Sequence, residues 1–252
     1  MIGLAASFAG LLGAVLGSFF NVVIWRLPRG ESLVAPRSAC PSCGEQIRSL
    51  DNVPLLSWML LRGRCRGCRT AISGRYPLVE GLTALLLVAV VLAKGPTREV
   101  WLGLAFAALL VPVIFIDLDH RIIPNPLMLL GAVAAPAILL VTQPELLAEH
   151  VIAGVAAGGL FLAAVLAYPA GMGMGDVKLA AVMGLFLGRA VGPALFSALL
   201  AGSLVGAVII ARKGAAEGRK TAVPFGPFLA LGGLVGLFAG DALVDLYLST
   251  FA

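Results

Sequence analysis

Four cysteines lie together in the one long polar stretch of an otherwise apolar chain. They form two Cys-x-x-Cys pairs separated by 21 residues, and they are Cys40, Cys43, Cys65 and Cys68. Two short turns that each present two thiolates make a tetrahedral sulfur site, which suits zinc. Four protein ligands leave no open position, so this zinc would be structural and not catalytic. Disulfides, which need an oxidising compartment, and unrelated thiols are the alternatives.

Three aspartates stand at the ends of apolar segments. Asp117 and Asp119 end one such segment, and Asp176 begins another. Carboxylates at membrane depth are costly and commonly mark a polar interior. Two that meet share one proton because their charges repel, which leaves a base beside an acid. The base can activate water against a peptide carbonyl while the acid protonates the leaving group, so the pattern indicates peptide hydrolysis.

The residues around Asp176 bear on this interpretation and leave alternatives open. Glycine at three alternate positions, Gly171, Gly173 and Gly175, permits unusual backbone dihedrals and the close approach of another chain. Lys178 either orients Asp176 or extends its amine to the membrane surface. The aspartates would otherwise be ordinary interface charges, or part of an ion or proton pathway.

Composition decides what kind of protein must position these groups. Hydrophobic residues make up 60% of the 252 residues, charged residues make up 12%, and the mean hydropathy is +1.02. Soluble domains contain about 45–50% apolar residues, so this chain faces lipid. We predict an all-α polytopic membrane protein with about eight transmembrane helices and a small zinc-binding cytoplasmic domain. The expected segments are 2–25, 77–93, 100–116, 126–142, 151–168, 177–189, 191–211 and 225–248.

The basic residues orient these segments. Nine of the 18 Lys and Arg lie between Arg26 and Arg75, a stretch that the positive-inside rule places in the cytoplasm. Alternation then puts 15 basic residues inside and three outside, so the net charge of +5 reflects topology and not nucleic-acid binding. We divide the chain into a first transmembrane helix (1–25), a cytoplasmic four-cysteine domain (26–76) and a membrane domain (77–252). The inner residues include the cluster Arg212, Lys213, Arg219 and Lys220.

Several motifs together resemble the prepilin peptidase (type IV leader peptidase) family, a group of Gly-x-Gly-Asp intramembrane aspartyl proteases. In chain order they are GSFFNVVIWRLP (17–28), DNVPLLSW (51–58), RYPLVE (75–80), Asp117 followed by IPN (123–125), and the Gly-x-Gly-Asp motif that ends at Asp176. The resemblance covers nearly the whole chain. A lone Gly-x-Gly-Asp is a weak signal, whereas these motifs in this order on this topology are specific.

The resemblance implies an intramembrane aspartyl endopeptidase that removes the basic leader from type IV prepilins and pseudopilins. Cleavage would follow a glycine, at the cytoplasmic face of the bacterial inner membrane, and the lipid bilayer would be the other partner. By motif position, Asp117 and Asp176 correspond to the catalytic aspartates, and 77–252 becomes the peptidase domain. The supporting residues would be Asp119, Gly173, Gly175 and Lys178.

Long members of that family, which carry the cysteine domain, also methylate the new amino terminus with S-adenosylmethionine. The resemblance therefore implies this methyl donor, although the sequence locates no site for it. The glycines before Asp176 lack the preceding strand and the following acidic residue of a nucleotide loop. The alternatives are a leader peptidase without methyltransferase activity and, in a different class, a carboxylate-dependent membrane transporter.

Two further features of the membrane segments indicate contacts with other groups: the carboxylate of Glu80 and a pair of glycines four residues apart. Glu80 lies about one turn into the second segment, where it either receives the basic leader of a substrate or pairs with an arginine such as Arg75. The spacing Gly154-x-x-x-Gly158 is typical of close helix packing.

Overall fold

The chain folds into helices joined by short connections. The computed structural model describes residues 1–169, 171–214 and 223–250, and this part of the chain contains no β-strand. The predicted all-α class is therefore confirmed. The α-helices are α1 (Ile2–Arg26), α2 (Leu56–Leu60), α3 (Arg75–Lys94), α4 (Val100–His120), α5 (Asn125–Thr142), α6 (Leu147–Ala167), α7 (Met174–Leu187), α8 (Val191–Lys213) and α9 (Gly226–Ser249).

Seven helical stretches among the described residues are long and apolar enough to cross a membrane. One of them is a stretch of 40 residues, Met174–Lys213, in which a 3-10 turn at Gly188–Ala190 joins α7 to α8. The predicted segments 177–189 and 191–211 correspond to these two helices. With 14 residues, α7 is about 21 Å long, which is short of a hydrocarbon core of about 30 Å.

Contacts group the chain into two compact units, Met1–Val100 and Trp101–Ala252, which we call the first unit and the second unit. The first unit contains the four cysteines, and the second contains the three aspartates that the sequence singles out. The division into 1–25, 26–76 and 77–252 is a functional one and stays a prediction.

In the first unit, α1 and α3 pack along glycines. A Cβ at Gly13 would lie 2.7 Å from the Cα of Ala84, and a Cβ at Gly17 would lie 2.6 Å from the Cα of Glu80. Real side chains do not approach a backbone so closely, so the two helices touch only because both positions lack a side chain. The polar segment that carries the cysteines joins these two packed helices.

In the second unit, α6 and α7 pack in the same manner, which confirms the interpretation of the Gly154-x-x-x-Gly158 spacing. A Cβ at Gly158 would lie 2.8 Å from the Cβ of Ala181 in α7. From the other side, a Cβ at Gly184 would lie 2.5 Å from the Cα of Gly154. This contact fixes the position of α7 against α6, and with it the position of Asp176.

Two more helices of the second unit meet through small residues. A Cβ at Gly236 of α9 would lie 2.8 Å from the Cβ of Ala194 in α8, and a Cβ at Gly240 would lie 2.5 Å from the Cβ of Ala190. Of the predicted basic cluster, Arg212 and Lys213 lie in the last turn of α8. Arg219 and Lys220 lie outside the described residues.

Candidate active site and metal-binding site

Asp117 lies in the last turn of α4, and it is only 5% exposed. Its Oδ2 accepts a hydrogen bond of 2.9 Å from the backbone N–H of Gly226, the first residue of α9. The carboxylate is therefore held by a helix that begins 109 residues later in the sequence.

Asp176 lies in the first turn of α7 and is half-buried. Its Oδ2 accepts a hydrogen bond of 3.2 Å from the N–H of Gly173, and its own N–H donates to the carbonyl oxygen of Gly173 at 3.1 Å. This reciprocal cap satisfies orphan donors at the helix start and restrains the carboxylate. A Cβ at residue 173 would lie 3.7 Å from the same Oδ2, in ordinary van der Waals contact with the carboxylate.

The connection after α4 brings these two helix ends together. A Cβ at Gly175 would lie 3.1 Å from the Cβ of Ile123 in this connection. Lys178 Nζ donates to Asn125 Oδ1 at 2.7 Å, which ties the N-terminal half of α7 to the start of α5. The two aspartates therefore lie at helix ends beside the same connection, and their assignment to one catalytic site stays a prediction.

Asp119 does not share this environment. It is exposed, whereas Asp117 is buried. A residue two positions further along an α-helix points about 200° away, so the two side chains cannot face the same neighbours. The supporting role of Asp119 stays a prediction.

Of the two properties expected of these glycines, the structure shows the close approach. Gly173 has a φ of −87° and Gly175 lies in α7, so both lie outside the left-handed region. The close approach expected at this motif does occur, at Gly175. The glycine that contacts the other aspartate is Gly226, which sequence reasoning missed. The available signal was a glycine between two prolines, in Pro224-Phe225-Gly226-Pro227, at the start of the last apolar segment.

In the first unit, the four cysteine Sγ atoms all lie within 4.8 Å of one another. The Cys40 and Cys68 Sγ atoms are 3.7 Å apart, and all four cysteines are free of disulfides. A tetrahedral ion with zinc–sulfur bonds of about 2.3 Å separates its ligands by roughly 3.8 Å. The cluster therefore fits a four-coordinate metal ion, and the disulfide alternative does not describe this arrangement.

Two equivalent turns, which we call the knuckles (39–46 and 64–71), build this cluster. Each is closed by an isolated antiparallel bridge between its end residues. In each, the first cysteine N–H donates to the carbonyl five residues on, and its carbonyl accepts from the N–H four residues on. These groups belong to Cys40, Glu45 and Gly44 in one knuckle and to Cys65, Thr70 and Arg69 in the other. The residue after the second cysteine has a left-handed φ, +72° at Gly44 and +61° at Arg69.

The thiols of the cluster differ in their acidity. The Thr70 hydroxyl, 3.3 Å from Cys68 Sγ, and then the Thr70 N–H lower the pKa of Cys68 to about 6. The Glu45 N–H favours the Cys43 thiolate, but hydrogen bonds with the other thiols and desolvation together raise the pKa of Cys43 to about 12. Without a cation, the cluster therefore contains both thiolate and thiol, and a bound metal ion would allow all four to ionise.

Two acidic residues brace the segment around the cluster. The Arg66 guanidinium donates to both oxygens of Asp51, at 2.8 and 2.6 Å, and it lowers the pKa of that carboxyl. Glu80 is buried, and its Oε2 accepts the N–H of Leu55 at 2.7 Å. Leu55 has a φ of +62°, which costs a residue with a Cβ about 1–2 kcal/mol. Glu80 thus holds a strained turn, a contact that neither interpretation from the sequence anticipated.

Comparison with known proteins covers both units. Residues 11–94 match the model of the bacterial peptidase A24 N-terminal domain, and residues 104–211 match that of the type IV leader peptidase family. A prepilin leader peptidase/N-methyltransferase of Aeromonas hydrophila is 39% identical over 280 residues, covering 97% of this chain and 94% of the relative. Proteins of the same name from Myxococcus xanthus and Pseudomonas aeruginosa are 40% and 34% identical, covering 86% and 94% of this chain and 66% and 91% of the relatives. No solved structure matches.

The apolar helices and these comparisons define a multi-pass membrane protein that is an enzyme. The chain belongs to the type IV leader peptidase family. The resemblance noted from the motifs is thereby confirmed, and the transporter alternative is not favoured.

Proposed function

We propose that the protein removes the basic leader from type IV prepilins and pseudopilins and then methylates the new amino terminus with S-adenosylmethionine. Both reactions would take place at the cytoplasmic face of the bacterial inner membrane. The names of the relatives support the two activities. The excess of Lys and Arg between Arg26 and Arg75 supports the cytoplasmic side.

The placement of Asp117 and Asp176 at two helix ends beside the connection 121–124 carries the peptidase proposal. One carboxylate, ionised, takes a proton from water as the water oxygen bonds to the scissile carbonyl carbon. The other, protonated, gives its proton to the departing nitrogen as the carbon–nitrogen bond breaks. The products are the leader with a new carboxyl group and the pilin with a free amine.

The missing side chain at Gly173 supports a binding place for the substrate backbone. A Cβ there would lie in van der Waals contact with the Asp176 carboxylate, so glycine keeps side-chain atoms of this residue away from the carboxylate. A peptide has to reach within about 3–3.5 Å of the reacting groups, and side chains at this position would oppose its approach. This explains why small residues suit the approach to the second aspartate.

The methyl transfer is carried over from the relatives and from the resemblance. S-adenosylmethionine would supply the methyl group, which the new amine accepts with loss of a proton. No side chain of this protein is assigned to that step. A leader peptidase without methyl transfer is therefore a distinct outcome of the experiment below.

We propose zinc as the ion of the cysteine cluster, with Cys40, Cys43, Cys65 and Cys68 as its ligands. Four thiolates at tetrahedral spacing match the preference of zinc, and four ligands leave no position for a substrate. The ion would stabilise the cytoplasmic domain 26–76 between the first helix 1–25 and the peptidase domain 77–252. A domain this small gains much of its stability from such a staple.

The test is mass spectrometry of a prepilin incubated in detergent with S-adenosylmethionine and each purified variant. We expect the wild type to remove the leader and to add the mass of one methyl group, while Asp117→Asn and Asp176→Asn leave the substrate intact. Asp245→Asn, which removes an exposed carboxylate of α9, is the matched control. Cleavage without added mass would leave a peptidase alone. Cleavage by either active-site variant would remove that aspartate from the mechanism.

A further inference from the structure

Gly226 lies outside the recognised motifs and touches the candidate site. Its N–H is the donor to Asp117 Oδ2, and it is buried. The matched family model ends at residue 211, before this position. We propose that Gly226 is a positioning residue of the active site, which holds the Asp117 carboxylate by its backbone N–H and admits it by having no side chain.

Among the described residues, the Asp117 carboxylate is the acceptor of this N–H at the start of α9. The first N–H groups of a helix have no partner within the helix. Here the N–H groups of Phe228 and Leu229 both turn back to the carbonyl of Phe225, at 3.0 and 3.1 Å, and Pro227 has no N–H. Among these first four residues, Gly226 alone has a donor to spare. It lies at the positive end of the helix dipole, where a carboxylate is favoured.

The lack of a side chain at Gly226 also allows the Asp117 carboxylate to occupy its position. A Cβ on residue 226 would lie 2.7 Å from Asp117 Oδ2 and 3.0 Å from its Cγ. Such distances require something to shift, and Asp117 is buried in a packed helix. Even alanine would therefore displace either the carboxylate or the beginning of α9.

Aromatic packing anchors the residue before the donor. The Phe225 ring lies 6.5 Å from the ring of Phe161 in α6 and 6.1 Å from that of Phe228 in α9. A Cβ at Gly202 in α8 would lie 2.9 Å from Phe225 Cε2, so this ring also presses on α8. Three helices thus determine where the Gly226 N–H points.

This role rests on the proposed peptidase reaction. A carboxylate that is free to rotate spends little time with one oxygen aligned to a water molecule and a substrate carbonyl. When Oδ2 is held by an N–H, the direction of the second oxygen is fixed as well. The residue acts only through Asp117 and makes no contact with the reacting bond.

The first test observes the hydrogen bond without using activity. Phe225-Gly226 is the only Phe-Gly pair in the sequence, so carbonyl-¹³C phenylalanine with ¹⁵N glycine isolates one amide signal in a carbonyl-filtered spectrum. Donation to a charged acceptor shifts an amide proton downfield. We expect a large upfield shift of this signal in Asp117→Ala, a smaller one in Asp117→Asn, and the smallest in Asp176→Asn. A signal that stays in place in Asp117→Ala would overturn the proposal.

The second test separates positioning from packing by kinetics. We expect Gly226→Ala to lower kcat for prepilin cleavage about 100-fold, the usual result of a misplacement near 1 Å, while KM changes less than about twofold. Gly236→Ala introduces a similar overlap on the same helix, 2.8 Å from Ala194, but it lies away from Asp117. It should lower thermal stability and leave kcat near that of the wild type.

The outcomes distinguish this inference from the proposed function. If the wild type cleaves no prepilin, the proposed function fails, whereas the amide signal still reports the contact. If the wild type cleaves and Gly226→Ala retains its kcat, the positioning role is wrong. If Gly226→Ala does not fold, the response of the wild-type amide to Asp117→Ala decides the proposal alone. Equal losses of kcat in Gly226→Ala and Gly236→Ala would reduce the role to helix packing.

Discussion

The cysteine cluster and the aspartate pair gather reactive groups by opposite means. Each half of the cluster is a knuckle whose hydrogen bonds span no more than five residues. The aspartates come from helices far apart in sequence, and their surroundings depend on glycine contacts between helices. A knuckle carries its own geometry and needs only a metal ion to join it to the other. The aspartate pair depends on how several helices pack, so substitutions distant from the two carboxylates can displace them.

Removal of one aspartate should have the largest effect and should affect one of the two sites only. We expect Asp117→Asn and Asp176→Asn each to lower prepilin cleavage by about 1,000-fold or more, because each removes a group that transfers a proton. The zinc content should stay at the wild-type level, because the cluster is built by local contacts. Cleavage assays and elemental analysis of the same preparations measure both quantities. Loss of zinc in either variant would contradict the independence of the two sites.

Replacement of a cysteine ligand should affect the zinc site and leave the helices of the second unit intact. We expect Cys65→Ser to weaken zinc binding by more than about 100-fold, since even changes outside the ligand set cost about 10–100-fold. Limited proteolysis should then cut within 26–76, while the helices of the second unit stay protected. Cys40→Ser in the other knuckle is the matched variant and should behave alike. Stoichiometric zinc after replacement of all four cysteines would disprove the ligand set.

The pKa values of the cysteine thiols predict how zinc affinity depends on pH. The pKa of Cys43 is raised to about 12 in the metal-free cluster, so its thiol has to lose a proton when zinc binds at neutral pH. The pKa of Cys68, about 6, means that this thiol is already ionised there. Zinc affinity should therefore rise with pH by about tenfold per unit for each proton released, and this dependence should become steeper below about pH 6, where Cys68 is protonated as well. Calorimetry in buffers of different ionisation enthalpy counts the protons, and a count of zero would contradict this assignment.

Two neighbouring glycines of α6, Gly158 and Gly159, test whether helix packing positions Asp176. Gly158 faces Ala181 of α7, whereas nothing lies within 4 Å of a Cβ at Gly159. Gly158→Ala should destabilise the fold by about 1–3 kcal/mol through overpacking and reduce cleavage by moving Asp176. Gly159→Ala should stabilise the helix by about 0.5–1 kcal/mol instead. Thermal unfolding in detergent measures both, and equal effects would refute the packing account.

The smallest effect concerns the knuckles themselves. Gly44 and Arg69 occupy the same left-handed position, and only Gly44 adopts it without strain. Gly44→Ala should cost about 1 kcal/mol, and Arg69→Gly should gain a similar amount or less. The rate of zinc loss to a chelator measures both changes. Shifts in the same direction would show that the two turns are not equivalent.

Hydropathy predicted the helices well because each segment that crosses a hydrocarbon core must contain enough apolar residues by itself. The segment predicted at 100–116 became α4, which runs on to His120, so Asp117 lies inside the helix and not after it. The segments 177–189 and 191–211 became α7 and α8, joined by one 3-10 turn. Such boundaries depend on caps and on packing, which average hydropathy does not register.

The site was predicted in part. Motif position favoured Asp117 over Asp119, and burial agrees, because only one of two residues two apart can face the helix bundle. Glu80 had two plausible partners in the sequence, and the structure supplies a different one, the N–H of Leu55. A backbone donor has no side-chain signature, so residue types alone could not identify it.

The sequence by itself determined the membrane class and the spacing of the four cysteines, and it predicted the two aspartates, since each rests on composition or on a short-range pattern. Only the tertiary structure decided which groups surround those aspartates. Lys178 reaches Asn125, Gly175 admits Ile123, and Gly226 donates to Asp117 because glycine contacts let the helices approach. The direction of a buried N–H depends on the packing of helices distant in sequence, and no local pattern encodes it.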